Sequence, residues 1–597
     1  MFKISLFSPW SFVALMVIAA GILMWGPARQ DSAIMDELAH IPAGYSYVKY
    51  QDYRLNPEHP PLVKMLAGLP LLFKDYNFPL DKTSWTTDIN GQWDAGRQFL
   101  YESGNNADEI IFLARLGPMF LTLLLVIFTY IFAQGIIGRW WALLPAFLTA
   151  FSPNILAHGH YVTTDIGAAL GMLASLYFFL KYLFQPNRNN LIAAGIILGL
   201  AQVMKFSVAL LAPYFFLILL ALAFIKKGFW KNILAVIGIG AISLAVVYIF
   251  YAFAVWNYPI EKQVTDTEFI LQSFGFRPAA DSVIWMSGNK IFRPLAHYFL
   301  GILMVTQRTA GGNTGYFLGE VSAAGWYYYF PAVFIMKEPL PILIIIALAL
   351  WFSALNLIKI KFKEYLHTHF AEFALLVFVI FYWLYSMKSN LNIGFRHLIP
   401  TLPFIYILSA SAIRKWVLLA PVPLAVTFSE KFLNFIRRIF SFGIKITFLS
   451  ILAVWFLVNS VMAYPYFLSS FNEFFGGVRG GYQYVTDSNY DWGQDLKRLK
   501  IWADANLTPE EKIAVDYFGG GSPKYYLGGR AESWSSSQNN PKDEGINWLA
   551  VSINTIQSAT ANTAPGFNRN PVDEYRWLEN SLAPYAKAGT SIFIYKL

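Results

Sequence analysis

Apolar residues fall in runs of roughly 20 along most of the chain, broken by short polar loops and three long polar stretches. That run length is what an α-helix needs to cross about 30 Å of hydrocarbon. The pattern predicts an α-helical polytopic membrane protein with about eleven transmembrane helices: 8–26, 109–133, 138–156, 163–184, 190–207, 208–225, 231–256, 338–357, 371–387, 397–419 and 441–463. Two long stretches, 27–108 and 257–337, interrupt this membrane domain of residues 1–463, and the third, 464–597, follows it. In the third, KIAVDYFG, INWLAVSIN and SIFIYKL alternate as strands, while WGQDLKRLKIWADANL and EYRWLENSLAPYAKA carry helical spacing. Such alternation predicts a small soluble α/β domain. Gly519–Gly521 reads as a strand-to-helix turn, since no Lys-Ser/Thr follows to make a phosphate loop. No internal repeat is visible, which counts against a secondary transporter.

Composition agrees: 56% of the 597 residues are hydrophobic and 14% charged. A net charge of +9 would suit nucleic acid, but the Lys and Arg residues sit in short loops between apolar runs, where they set orientation. Even-numbered spans end at Arg139, at Lys226, Lys227 and Lys231, at Lys359, Lys361 and Lys363, and at Arg414, Lys415, Arg437 and Arg438. These ends are expected to be cytoplasmic, with no nucleic-acid partner. The first span follows only Lys3 and lacks a small-residue cleavage site, so it reads as an uncleaved anchor with the N-terminus inside. The three long stretches then lie outside. Absence of cysteine excludes disulfides and thiol chemistry.

The stretch Gln51–Phe73, QDYRLNPEHPPLVKMLAGLPLLF, sets an acid, an imidazole and two prolines against an apolar run too short to span. Proline suits the first turn of a helix, and thirteen or so apolar residues suit the membrane interface. Glu58 and His59 would then sit at a helix N-terminus, where free N–H groups attract anions at headgroup level.

The run DELAHIPAGYSYVKYQDYRLNPEHPPLVKMLAGLPLL resembles the first extracytoplasmic loop of GT-C fold, lipid-carrier-dependent glycosyltransferases, in the branch related to protein O-mannosyltransferases and lipid A aminoarabinose transferases. Further matches are HGHYVTTD, KEPLP, NIGFRHLIPTLPF and DSNYDWGQDL. The resemblance implies an inverting enzyme of a bacterial inner or plasma membrane. It would take a sugar from a polyprenyl-phosphate donor at the outer face and give it to a glycolipid, polysaccharide or protein hydroxyl. Protein O-mannosyl transfer is the alternative within the class, and a lipid-linked sugar transporter or flippase the alternative outside it.

Glycosyl transfer to a hydroxyl needs a carboxylate to take the acceptor proton. In the family the first acid of a pair is the candidate base, which falls on Asp36, with Glu37 beside it. Asp165, at the outer end of a span, is a further candidate because ionisable groups at a membrane boundary are costly unless used. The leaving phosphate needs cations, and Lys205, Lys388 and Arg396 are almost the only ones on the short outer loops. Arg396 is the better clamp for its planar fork, with Lys205, His397 and Lys64 as further phosphate-binding candidates. His158 and His160, with Asp165, Glu58 or His59, offer a donor or metal site for Mn, Mg or Zn.

Overall fold

Among the described residues, seven helices are long and apolar enough to cross a membrane: Pro9–Gln30, Ala107–Ile137, Asp165–Phe184, Phe206–Ala223, Phe229–Ala254, Phe370–Met387 and Phe428–Ala463. The computed structural model describes residues 8–357, 361–419, 427–578 and 583–597, so Lys3 and Lys359 of the charge pattern lie outside the described residues. The other four predicted spans are helical but shorter or broken. Residues 138–156 divide into Leu143–Phe151 and Pro153–His160, because Ser152 before the proline is extended and its hydroxyl caps the second helix at Ile155 N–H. Arg188–Gln202 is 15 residues and Leu402–Leu418 is 17, the latter entered through a 3-10 turn, Phe395–Thr401. At KEPLP the chain turns by 118° between Tyr329–Lys337 and Leu340–Leu355, with Glu338 extended ahead of Pro339.

Asp165–Phe184 runs through the centre of the bundle, buried along most of its length. Against one end lie two short helices of the first long loop, Met35–Lys49 and Pro61–Gly68. They cross so closely that a Cβ on Gly44 would stand 2.1 Å from the Lys64 carbonyl oxygen, and one on Gly68 2.4 Å from that of Gly44. Only glycine permits this contact. The apolar segment Pro61–Phe73 therefore buries Val63, Ala67 and Leu71 against protein and leaves Leu69, Leu72 and Phe73 exposed, covered on more sides than an interfacial helix would be.

Met35–Lys49 is fixed from below by Glu37. Its carboxylate is fully buried and receives Arg115 Nε at 2.8 Å and Nη2 at 2.7 Å, from the helix Ala107–Ile137. The N–H groups of Ile34 and Val162 complete it at 3.0 and 3.1 Å. Arg115 spends its remaining donors on the carbonyls of Ala28, Asp31 and Ser32.

The C-terminal region holds a five-stranded sheet in the order Ala531–Ser533, Ile513–Asp516, Trp548–Ser552, Ile592–Lys596, Ala586–Ala588. The first three strands are parallel, and Ile592–Lys596 runs antiparallel to both its neighbours. All three strand expectations hold, as does the helix at Leu496–Asn506. The helix expected over EYRWLENSLAPYAKA does not form in its described part: 574–578 is turn and Ala586–Ala588 is the edge strand. Pro584 and the pairing of Ala586 with Ile594 override the helical spacing. Residues 579–582 of that segment lie outside the described residues. A small second sheet ties the loops together, with Glu320–Ser322 pairing Gly315–Phe317 on one side and Asn562–Thr563 on the other.

Removing one partner of a buried ion pair leaves an uncompensated charge, so Arg115→Met is expected to cost about 3–5 kcal/mol. Thermal unfolding in detergent should show the loss, with Lys74→Met, whose partner Glu109 is at the surface, as a near-neutral control.

Candidate active site

Successive residues on an α-helix point about 100° apart. Glu37 faces the core, so Asp36 faces a cavity of about 170 Å³ at the same end of the bundle. Asp36, Glu58, His59, Asp165, Lys205, Arg396 and His397 all line it. They arrive on separate segments: Asp36 in the first turn of Met35–Lys49, Asp165 at the start of the central helix, Lys205 where Arg188–Gln202 gives way to a 3-10 turn, and Arg396 and His397 in Phe395–Thr401.

The charges alternate. Arg396 Nη1 donates to Asp36 Oδ2 at 2.6 Å and lies 4.0 Å from Asp165 Oδ2, while Lys205 Nζ reaches Asp165 Oδ1 at 2.5 Å. Each carboxylate here is paired with a cation, and each cation is only partly shielded from the cavity. The Arg396 guanidinium lies over the Trp492 ring at 4.3 Å, and its Nε has no protein partner. Burial disfavours its charge, but Asp36 and Asp165 more than restore it and hold its pKa above the ordinary arginine range. Glu58 accepts Gln92 Nε2 at 2.6 Å and Asn90 Nδ2 at 3.2 Å, so its charge is met by amides.

Burial disfavours the protonated form of the histidines in the lining. Burial lowers His397 to about 3, with Lys205 and Arg396 adding to the effect. Burial likewise holds His59 well below the usual imidazole range, helped by His40, Lys64, Lys205 and Arg396. His397 therefore offers the cavity a hydrogen bond through its unpartnered Nε2 and no positive charge.

Four sequence candidates sit elsewhere. Glu37 is the clasp described above, with no exposed surface. Lys64 does not reach a phosphate site: it is fully buried and donates to Tyr47 Oη, Asn56 O, Asn56 Oδ1 and His59 O at 2.7–2.9 Å. It pins the turn that carries Glu58 and His59. His160 is turned to Asp31 Oδ2 at 3.3 Å and to Leu156 O, and His158 lies behind Trp492, its ring centre 5.8 Å away, with both nitrogens unpartnered. Among the described residues no three His, Asp or Glu side chains converge as a metal site. The donor set does not fit the divalent ion that the histidine spacing suggests, and no step below is routed through one. Lys388 is exposed and outside the cavity lining.

Sequence reasoning missed His40 and Arg308, both in the lining. His40 follows Asp36 by four residues, one helical turn, which was the available signal. Its Nδ1 is 2.7 Å from Val162 O and its ring meets that of His59 edge-on. Arg308, near the end of Arg293–Gly311, gave no signal beyond its charge.

Because Lys64 serves the turn and not a ligand, Lys64→Met is expected to lower stability by about 1–3 kcal/mol for each acceptor left unmet. The check is a fall in melting temperature that added carrier lipid does not reverse. A phosphate ligand would show the opposite, normal stability with weaker lipid binding.

A sequence search of curated proteins returns no match. Residues 13–260 match the family "Dolichyl-phosphate-mannose-protein mannosyltransferase". Among solved structures, ArnT from Cupriavidus metallidurans bound to undecaprenyl phosphate is similar over 98% of both chains at 15% identity and a TM-score of 0.47. The Archaeoglobus fulgidus oligosaccharyltransferase in its apo form is similar over 96% of this chain and 73% of its own, at 13% identity and a TM-score of 0.51. The chain is thus a membrane protein of the GT-C glycosyltransferase fold, whose N-terminal region is similar to the dolichyl-phosphate-mannose-protein mannosyltransferases.

Proposed function

We propose that this protein transfers a sugar from a polyprenyl-phosphate-linked donor to a hydroxyl acceptor of the cell envelope, with inversion at the anomeric carbon. The observation that carries the reading is the chain of alternating charges, Asp36, Arg396, Asp165 and Lys205, lining one cavity at the loop-bearing end of a membrane bundle. Lipid-linked donors present their phosphate at that depth.

The acceptor oxygen attacks the anomeric carbon from the face opposite the phosphate. Its proton passes to a carboxylate oxygen of Asp36, and the bond between the anomeric carbon and the phosphate oxygen breaks, leaving the carrier phosphate with an added negative charge. Arg396 and Lys205 hold that charge. A charge that develops in a site partly shielded from water gains most from cations already in place. Asp165 keeps Lys205 oriented and offsets the cost of burying it. Glu58, met only by neutral amides, is left to accept from sugar hydroxyls. The match of residues 13–260 to protein mannosyltransferases makes a protein Ser or Thr hydroxyl one acceptor to test beside glycolipid and polysaccharide.

The asymmetry of Lys and Arg between alternate loops supports an orientation with the cavity and residues 464–597 outside a bacterial plasma membrane and the N-terminus inside. In this cysteine-free chain, a cysteine at Ser535 is expected to react with an impermeant maleimide in intact cells, and one at Phe362 only after lysis. The reverse pattern would put the cavity on the wrong side for an outer-face transferase.

Asp36→Asn keeps shape and hydrogen bonding but removes the proton acceptor. Turnover is expected to fall by roughly a hundredfold or more while carrier binding largely survives. Transfer to total envelope acceptors, followed by mass spectrometry for the added sugar, checks this and names donor and acceptor together. Near-normal transfer by the variant would move the base away from Asp36.

A further inference from the structure

The segment DSNYDWGQDL, Asp487–Leu496, belongs to the C-terminal region yet touches Ile393 and Arg396, which line the cavity. One set of its bonds grips the segment that carries Arg396: Ser488 Oγ donates to Ile393 O at 2.5 Å, and Asn489 Oδ1 accepts Phe395 N–H at 2.8 Å. A second set grips the approach to Asp36. Trp492 O accepts Met35 N–H at 3.0 Å, Gln494 O accepts Ser32 N–H at 3.0 Å, and Ser32 Oγ donates to Gly493 O at 2.8 Å. Gly493, at φ +98°, packs where a Cβ would stand 2.4 Å from Gly519 Cα, so this turn requires glycine. Asp495 anchors the segment to its own domain by accepting the N–H groups of Thr590 and Ser591 at 2.8 and 2.9 Å.

Between the two grips lies the Trp492 ring, 1% exposed, with Arg396 across its face and Tyr161 and His158 at its sides. Arg396 is joined to Asp36 through Nη1, and its Nε has no protein partner. A long, flexible stem held at one point has many rotamers open to it. A flat π-face under the guanidinium restricts it to one plane and attracts its charge, more so out of water.

We infer that Trp492 is a positioning residue: its ring sets the plane in which Arg396 meets the carrier phosphate, so that the C-terminal region completes the active site. The inference rests on the reading that Arg396 holds that phosphate. A smaller apolar side chain gives up packing as well as the π-face, but lost packing would weaken binding whatever stands at 396, whereas lost orientation acts only through Arg396. Packing and positioning therefore give different results.

The test uses the full-length protein in detergent micelles and undecaprenyl phosphate as the probe, with affinity read by microscale thermophoresis and folding by thermal unfolding. Trp492→Leu is expected to weaken binding by about tenfold, and Trp492→Phe, which keeps an aromatic face, by no more than about twofold. In an Arg396→Lys background, already weaker, Trp492→Leu should add less than about twofold, because residues acting through one contact are not additive. Should Trp492→Leu not fold, Trp492→Met takes its place in both backgrounds. Unchanged affinity in Trp492→Leu beside a weakened Arg396→Lys overturns the inference alone. So does equal weakening by Leu and Phe, or a full additional tenfold on top of Arg396→Lys. Failure of the native protein to bind the probe, or native affinity in Arg396→Lys, overturns the phosphate reading and the inference with it.

Discussion

The fully buried pair of Glu37 with Arg115 decides where Asp36 points. Two adjacent acids on a helix cannot face the same way, and the one drawn to Arg115 turns the other into the cavity. Such a pair is expensive to bury and holds only where every remaining donor and acceptor is met. Here they are met, by two backbone N–H groups on the carboxylate and three carbonyls on the guanidinium. Arg115 thereby gathers the turn of Ala28, Asp31 and Ser32 onto the helix Ala107–Ile137. The start of Met35–Lys49 is a rigid mount for the acid beside it.

The same economy runs through the other buried charges. Lys64 and Lys337 are both engaged by protein oxygens, Lys337 by the carbonyls of Leu468 and Asn489 at 2.8 and 2.6 Å. Neither is available to a ligand. The histidines around the cavity are kept neutral by burial, which leaves Lys205, Arg308 and Arg396 as the cations in its lining. Asp487, near Arg396, is pushed up to about 6, mainly by burial and further by Asp36, while Arg396 opposes the shift. The carboxylates of the lining, Asp36, Asp165 and Glu58, are each already bonded, and an anion entering the cavity would meet cations whose desolvation is partly offset in advance.

Much of this was legible in the chain. Run length identified the membrane segments, scarcity of positive charge on one set of loops singled out Lys205 and Arg396, and a carboxylate at the end of a span singled out Asp165. Asp36 and Arg396, 360 residues apart, meet in one hydrogen bond. Position along a sequence says which end of a bundle a residue occupies and not which way its side chain points. For that reason Glu37, Lys64 and His160 were placed in the site though they face the protein, and His40, one turn from Asp36, was passed over. The DSNYDWGQDL motif could be seen but not interpreted, since its partners, Ser32, Met35, Ile393 and Phe395, are recognisable only once the chain is folded.

The helix breaks show why the site lies where it does. Helices are interrupted at Ser152–Pro153, at Val203–Lys205 and between Lys337 and Leu340, and a further one is entered at Phe395 after the loop that follows Met387. Irregular backbone at membrane depth is tolerated only where protein or a cavity satisfies its polar groups. Three of these places have such a partner from outside the bundle: Val203 O accepts Leu62 N–H, Asn472 Nδ2 donates to Glu338 O, and Asn489 Oδ1 accepts Phe395 N–H. Those partners come from the first long loop and the C-terminal region. The polar loops therefore do more than cover the bundle: they supply the hydrogen bonds without which the spans could not end where Lys205 and Arg396 are delivered to the cavity.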